Sequence, residues 1–189
     1  ALITSSDGSI YVAGYVISGD FDGQVNRGWD AFLRKYNSDG TKAWTRLLGS
    51  GPERSWSGGY WIADSAHALT IGSDGSIYVA GYGGYNGSDF DGQTTNQYHD
   101  AFITKFLPDG EKRWTRLVGS SSYQTGNALT TGSDGSIYIA GSSSGDLDGQ
   151  TNSGNSDVFI KKLTYLLLPS DIDSTDSNFN ENIDAGSAV

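Results

Sequence analysis

One phrase occurs three times in this chain, and a chain that repeats itself at this spacing folds as repeated units. Residues 1–14 read ALITSSDGSIYVAG, residues 68–81 read ALTIGSDGSIYVAG and residues 128–141 read ALTTGSDGSIYIAG. Asp7, Asp74 and Asp134 are equivalent, so the steps are 67 and 60 residues. Self-similarity of this kind marks one supersecondary unit per repeat, each too small to bury its own faces, so that neighbours must stack.

Each unit reads as strands. In the second copy, residues 68–71 (ALTI) form a short apolar run, and Ser73-Asp74-Gly75 is a turn in which Asp-Gly accepts positive φ. Residues 76–82 (SIYVAGY) are rich in β-branched and aromatic side chains, as strands are. A polar, glycine-rich loop leads to a third strand at 100–106 (DAFITKF). Pro108-Asp109-Gly110 turns the chain into a fourth at 113–118 (RWTRLV). The first copy repeats these at 30–36 (DAFLRKY) and 43–48 (AWTRLL); the third ends at 157–163 (DVFIKKL) with no Trp-Thr-Arg after it.

Four meandering antiparallel strands in about 60 residues describe a propeller blade. A solenoid or sandwich is the competing all-β reading, but sandwiches rarely carry near-identical units of this length. The expected fold is therefore all-β, with three four-stranded propeller blades. Residues 1–65 form blade 1 with a long aromatic connection, 66–127 blade 2, 128–168 blade 3 without its own fourth strand, and 169–189 an acidic linker or first strand of another domain. Three blades do not close a ring, since about four to eight are typical. Either further blades lie outside this sequence or copies assemble, two chains giving six.

Composition excludes several functions. The 189 residues carry a net charge of −10, against the clustered Lys and Arg of a nucleic-acid groove. No run of about 18 apolar residues exists to cross a membrane as a helix. With no cysteine, disulfides and thiolate metal sites are ruled out.

Every blade carries one acidic phrase between strands two and three. Blade 1 has Asp20, Asp22, Gln24, Asn26 and Asp30; blade 2 has Asp89, Asp91, Gln93 and Asp100; blade 3 has Asp146, Asp148, Gln150, Asn152 and Asp157. Oxygen-bearing side chains at positions 1, 3 and 5, with a further Asp ten or eleven residues after the first, are what a hard cation such as Ca²⁺ requires if they converge. The glycine sits at position 4 instead of the EF-hand's 6, and no bidentate Glu closes the loop. Turn chemistry alone, with carboxylates bonded to backbone N–H groups, explains the same residues. Calcium is the expected cofactor, because two carboxylates two residues apart repel unless something neutralises them.

The SDGSIYVAG hairpin, the GDFDGQ…DAF segment and the DG…WTRLLGS strand resemble the bacterial β-propeller repeats known as SBBP repeats, over residues 1–164. That resemblance implies a propeller on secreted or surface proteins with no established catalytic activity. Members often read DFP where this chain has DFDGQ. Residues 169–189 (PSDIDSTDSNFNENIDAGSAV) resemble the opening of a cadherin-like domain of bacterial surface proteins, in which the residue matching Glu181 helps hold calcium between domains.

Trp44 and Trp114 match one another and are expected to pack between blades. The connection from Ser50 to Ala68 spans 18 residues against 8 from Ser120 to Ala128, and its extra length carries Trp56, Tyr60 and Trp61, candidate ligand-binding aromatics. His67 and His99 follow no ligand spacing and read as ordinary surface or loop residues. No serine sits in a nucleophile-elbow setting. The expected function is non-enzymatic: a calcium-stabilised propeller segment of a large secreted or cell-surface protein, serving adhesion or spacing against a protein or glycan ligand. The alternative is a carbohydrate-binding propeller using Trp56, Trp61, Tyr85 and Tyr98; a hydrolase or lyase fragment is weaker, for want of a catalytic constellation.

Overall fold

The computed structural model describes residues 1–49, 63–85 and 87–163. Among them are thirteen strands and no helix. Strands β1 (Leu2–Thr4), β2 (Ile10–Phe21), β3 (Gln24–Tyr36) and β4 (Lys42–Leu48) make the first sheet in meander order. The second consists of β5 (Ser65–Ile71), β6 (Ile77–Gly83), β9 (Asp100–Phe106) and β10 (Lys112–Val118), with a two-stranded hairpin of β7 (Asp89–Phe90) and β8 (Gln93–Thr94) between its middle strands. The third has β11 (Gln124–Thr131), β12 (Ile137–Ser143) and β13 (Asp157–Leu163). All pairings between these strands are antiparallel. Strand β11 starts four residues ahead of Ala128, where the repeated phrase begins, because a bulge between Gly126 and Ala128 lets pairing continue to Gln124.

The strands form where alternation demands two faces. From β6, Ile77 and Val79 join Phe102 and Phe106 of β9 in a core against Tyr11, Ala13 and Leu33 of the first blade. The opposite face of the same sheet presents Tyr78, Ala80 and Ile103 to Ile137 and Ile139 of the third blade. Both faces of the middle sheet are therefore buried, and its strands read as continuous apolar runs. The first strands of neighbouring sheets lie together: the Thr70 and Thr131 hydroxyls bond at 2.9 Å, and Thr131 Oγ1 donates to the Ile71 carbonyl at 2.9 Å. Trp44 packs against the core shared by blades 1 and 2, its Nε1 donating to the Pro108 carbonyl at 3.3 Å.

One backbone bond recurs at each joint. Asp64 N–H donates to the Trp29 carbonyl at 2.7 Å, and Gln124 N–H to the His99 carbonyl at 2.9 Å. Each links the residue just ahead of a DAF segment to the residue leading into the next sheet.

The repeated SDG turns close strands one and two with positive φ at glycine alone: Gly8 (81°), Gly75 (77°) and Gly135 (81°). The aspartate's role there is to accept, Asp74 Oδ1 taking the Ser76 N–H at 3.0 Å. This corrects the assignment of positive φ to both residues of Asp-Gly in these turns. The tip of the acidic phrase is where it belongs: Asp22 and Gly23 have φ of 59° and 73°, Asp91 and Gly92 of 54° and 83°, Asp148 and Gly149 of 51° and 77°. In blade 1 the flanking Phe21 and Gln24 pair, so Asp22-Gly23 is a two-residue hairpin loop that prolongs β2 and β3 well past the expected strand.

The blade ends differ. One carries the tight SDG and PDG turns; the other carries the long connections between strands two and three and from strand four to the next blade. Tight turns make the first end uniform, and variable loops make the second the place for function.

Phe102, fully buried between blades 1 and 2, tests this packing. Phe102→Ala is expected to lower unfolding free energy by about 3–5 kcal/mol, read from urea denaturation; a loss below about 1 kcal/mol would contradict face-to-face stacking.

Candidate functional site

The acidic phrase folds back along the outside of its own blade and grips the fourth strand. Asp22 Oδ2 accepts from Thr45 Oγ1 and from Arg34 Nη2, each at 2.5 Å, and Lys42 Nζ pairs with Oδ1. Gln24 Nε2 donates to the Thr45 carbonyl at 2.8 Å, while Gln24 Oε1 accepts the Leu47 N–H at 3.3 Å. Blade 2 repeats this with Asp91 on Lys112 and Thr115, and Gln93 on the Thr115 carbonyl. An aspartate in the left-handed region is tolerated because its short polar side chain bonds locally. Here that conformation aims a carboxylate at a cation and a buried hydroxyl of the outermost strand.

The remaining carboxylates go elsewhere. Asp20 Oδ1 and Asp89 Oδ1 accept the Gly23 and Gly92 N–H groups at 2.7 and 2.8 Å, capping the hairpin tip, while Asp146 accepts from Asn152 N–H at 2.8 Å. Asp100 is buried under Asn96, whose backbone N–H it accepts at 3.0 Å, and Asp157 accepts the Ser153 N–H at 2.8 Å. Asp30 lies against Gly49, and Asp100 against Gly119, where a Cβ would meet the carboxylate. In blades 1 and 2 these positions thus point to separate partners, and among the described residues no group of three or more His, Asp or Glu side chains is placed to hold a metal. The repulsion between neighbouring carboxylates is met by Lys42, Arg34 and Lys112. This donor set does not fit a calcium ion as it stands.

Charge follows geometry. The Lys42 ammonium and the Thr45 hydroxyl, with Arg34, hold the Asp22 carboxyl down at about 2. Burial pushes the Asp100 carboxyl up, against the pull of its Asn96 bonds.

A second cluster occupies the long-loop end. Tyr82, closing β6, meets His99 at 5.1 Å between ring centroids and His67 at 5.2 Å. His99 in turn meets Tyr85 at 5.5 Å and Tyr123 at 5.9 Å, and Tyr98 packs on Tyr123 at 4.4 Å. Tyr123 belongs to the entry into blade 3, so the ledge bridges two blades. Blade 1 holds a related pair, Tyr15 stacked on Trp29 at 5.4 Å with an interplanar angle of 3°. By repeat position Tyr15 matches Tyr82 and Trp29 matches His99, with Ser142 and Ser156 in blade 3.

His99 is half-buried, a correction to its reading as an ordinary loop residue. Its Nδ1 lies 2.5 Å from the Gly84 carbonyl, so Nδ1 carries the proton and Nε2 is left as acceptor. Burial lowers its pKa, with the Gly84 bond opposing. Tyr85 and Tyr98, two of the aromatics named for the carbohydrate reading, lie in this cluster. Tyr82 and His99 were legible only from the equivalence of Tyr15 with Tyr82 and Trp29 with His99, and Tyr123 carried no such signal. Trp56, Tyr60 and Trp61 lie outside the described residues, as do residues 169–189 with Glu181.

Because the folded Asp22 titrates near 2 instead of its ordinary value of 3.8, its contribution is fully present above that value and is lost as pH falls through the folded one. Asp22→Asn is therefore expected to destabilise at neutral pH. The gap between variant and wild type should close between pH 3.8 and 2, measured by denaturant melts across that range. A gap independent of pH would contradict the ion-paired clamp.

Two family models match. Residues 113–148, running from β10 across the blade boundary into β11 and β12, match one described as a beta-propeller repeat, SBBP. Residues 5–42, from the first turn to the start of β4, match one described as a domain of unknown function (DUF5122) beta-propeller. The regulatory protein FlaEY of Caulobacter vibrioides is 31% identical over 175 residues, covering 84% of this chain and 17% of that protein. The chain thus spans about a sixth of that relative's length. The two propeller models fall on different sheets of an antiparallel stack, and together they support a β-propeller repeat protein.

Proposed function

We propose that the chain is a non-enzymatic propeller segment of a larger secreted or cell-surface protein, and that it acts by binding a glycan at its long-loop end. The observation that carries this reading is the aromatic ledge. Six rings from two blades are collected at one end, and Tyr123 stays 38% exposed. Tyrosine faces offer area for stacking at low entropic cost, and their hydroxyls, with His99 Nε2, offer polar contacts. The secreted or surface setting rests on the resemblance of the hairpin and acidic segments to SBBP repeats. A protein ligand on the same ledge is the second reading, and the same variants test it.

Calcium has a smaller part in this reading. The acidic hairpins hold the fourth strands through Lys, Arg and Thr, so a cation would have to displace those partners. Calorimetric titration with millimolar Ca²⁺ is expected to give no heat and no rise in melting temperature. Saturable heat with stabilisation of about 1–2 kcal/mol per site would return the loops to calcium.

A glycan array probed with the 189-residue chain is expected to give a signal that Tyr98→Ala and Tyr123→Ala each weaken by about 1–3 kcal/mol, with melting unchanged within about 1 kcal/mol. A signal indifferent to both substitutions removes the ledge from the account. Silence on the array with protein capture sensitive to both substitutions replaces the glycan by a protein ligand.

A further inference from the structure

Blade 3 carries the receptor half of a clamp whose other half is missing from its own sequence. In blades 1 and 2 the receptor is a left-handed aspartate followed by Gly-Gln, and the ligand is a strand reading Lys-x-Trp-Thr: residues 42–45 (KAWT) and 112–115 (KRWT). The aspartate takes the lysine and the threonine hydroxyl, and the glutamine takes the threonine carbonyl. Blade 3 keeps the receptor. Asp148 has φ of 51°, Gly149 has 77°, and Leu147 bridges Gln150 as Phe21 pairs with Gln24 and Phe90 with Gln93. Lys161, equivalent to Arg34, approaches Asp148 at 3.4 Å as Arg34 does Asp22. The Gln150 side chain is exposed.

Among the described residues β13 pairs with β12 and with no strand on its outer side. An open strand edge invites addition of another strand. The chain's own continuation, residues 164–189, contains no Lys, Arg or Trp, so it does not supply the ligand half.

We propose that the outer edge of β13 binds, in trans, an extended segment of the form Lys-x-Trp-Thr, a fourth strand of the same repeat type borne by another polypeptide. Register follows from the filled blades. Arg34 pairs with Thr45, Lys35 with Trp44 and Tyr36 with Lys42; Thr104 pairs with Thr115, Lys105 with Trp114 and Phe106 with Lys112. The incoming threonine therefore lies opposite Lys161, the tryptophan opposite Lys162 and the lysine opposite Leu163. Asp148 receives the incoming ammonium and hydroxyl, and Gln150 receives the threonine carbonyl.

The test is a synthetic peptide of residues 109–119 (DGEKRWTRLVG) titrated into the full 189-residue chain by calorimetry, with hydrogen exchange locating the contact. Saturable binding with new protection of β13 amides is expected. Lys112→Ala or Thr115→Val in the peptide, and Asp148→Asn or Gln150→Ala in the protein, should each weaken it about tenfold. If a protein variant fails to fold, the peptide substitutions carry the test unaided. No binding, as a slot already closed by residues 164–189 would give, overturns the proposal. So does equal binding of a scrambled peptide, or protection appearing away from β13.

Discussion

A small four-stranded sheet has two apolar faces, and burying both is the constraint on which the rest of this molecule depends. The middle blade meets it fully: Ala101 and Ile103 are inaccessible under the third blade, and Phe102 and Phe106 are buried under the first. The same positions in blade 3, Val158 and Ile160, are 82% and 73% exposed. The sequence chemistry is alike in the two blades, so the difference comes from the neighbour alone. Each apolar face contributes about 25 cal/mol per Å² only once another sheet removes it from water. An isolated blade has no core of its own.

Stacking accounts for the inner three strands better than for the fourth. Strands β4 and β10 lie at the periphery, where apolar cores reach β4 through Leu48 and β10 on its two faces through Leu117 and Val118. Their other support is polar and comes from the hairpin between strands two and three. A left-handed aspartate and a glutamine from that hairpin reach the lysine, the threonine hydroxyl and the threonine backbone. Desolvation strengthens this arrangement, since Thr45 and Thr115 are buried at the contact. The hairpin thereby does two jobs. Its tip braces the outer strand, and its base, with the interblade connections, lifts Tyr85, Tyr98 and His99 into the ledge at the open end.

Much of this was written in the order of residues. Alternating apolar runs placed the third strands at 100–106 and 157–163 where they are found, and the repeated SDG turns marked the joints between first and second strands. The acidic phrase was legible as a special turn, but its partners were not. Asp22 finds Thr45 at a separation of 23 residues and Asp91 finds Thr115 at 24, and no local spacing rule connects them. The spacing of oxygens at alternate positions records where they lie along the chain and not which way they point. His99 was missed for a similar reason. A lone histidine has no periodicity, and its place appears only when blade 1 is laid on blade 2 and Trp29 falls on it.

What the order of residues determined by itself was local. Period, turn chemistry, strand identity and the kinship of the three units all rest on short-range sterics and side-chain alternation, which neighbours along the chain settle. Tertiary structure decided which faces are buried, which carboxylates find cations, and that rings from two blades meet at one end. Those outcomes depend on distances between residues some 20 to 60 positions apart, set when separate sheets pack. The identical Asp-Gly-Gln phrase therefore completes a clamp in two sheets, while among the described residues the third sheet ends at β13.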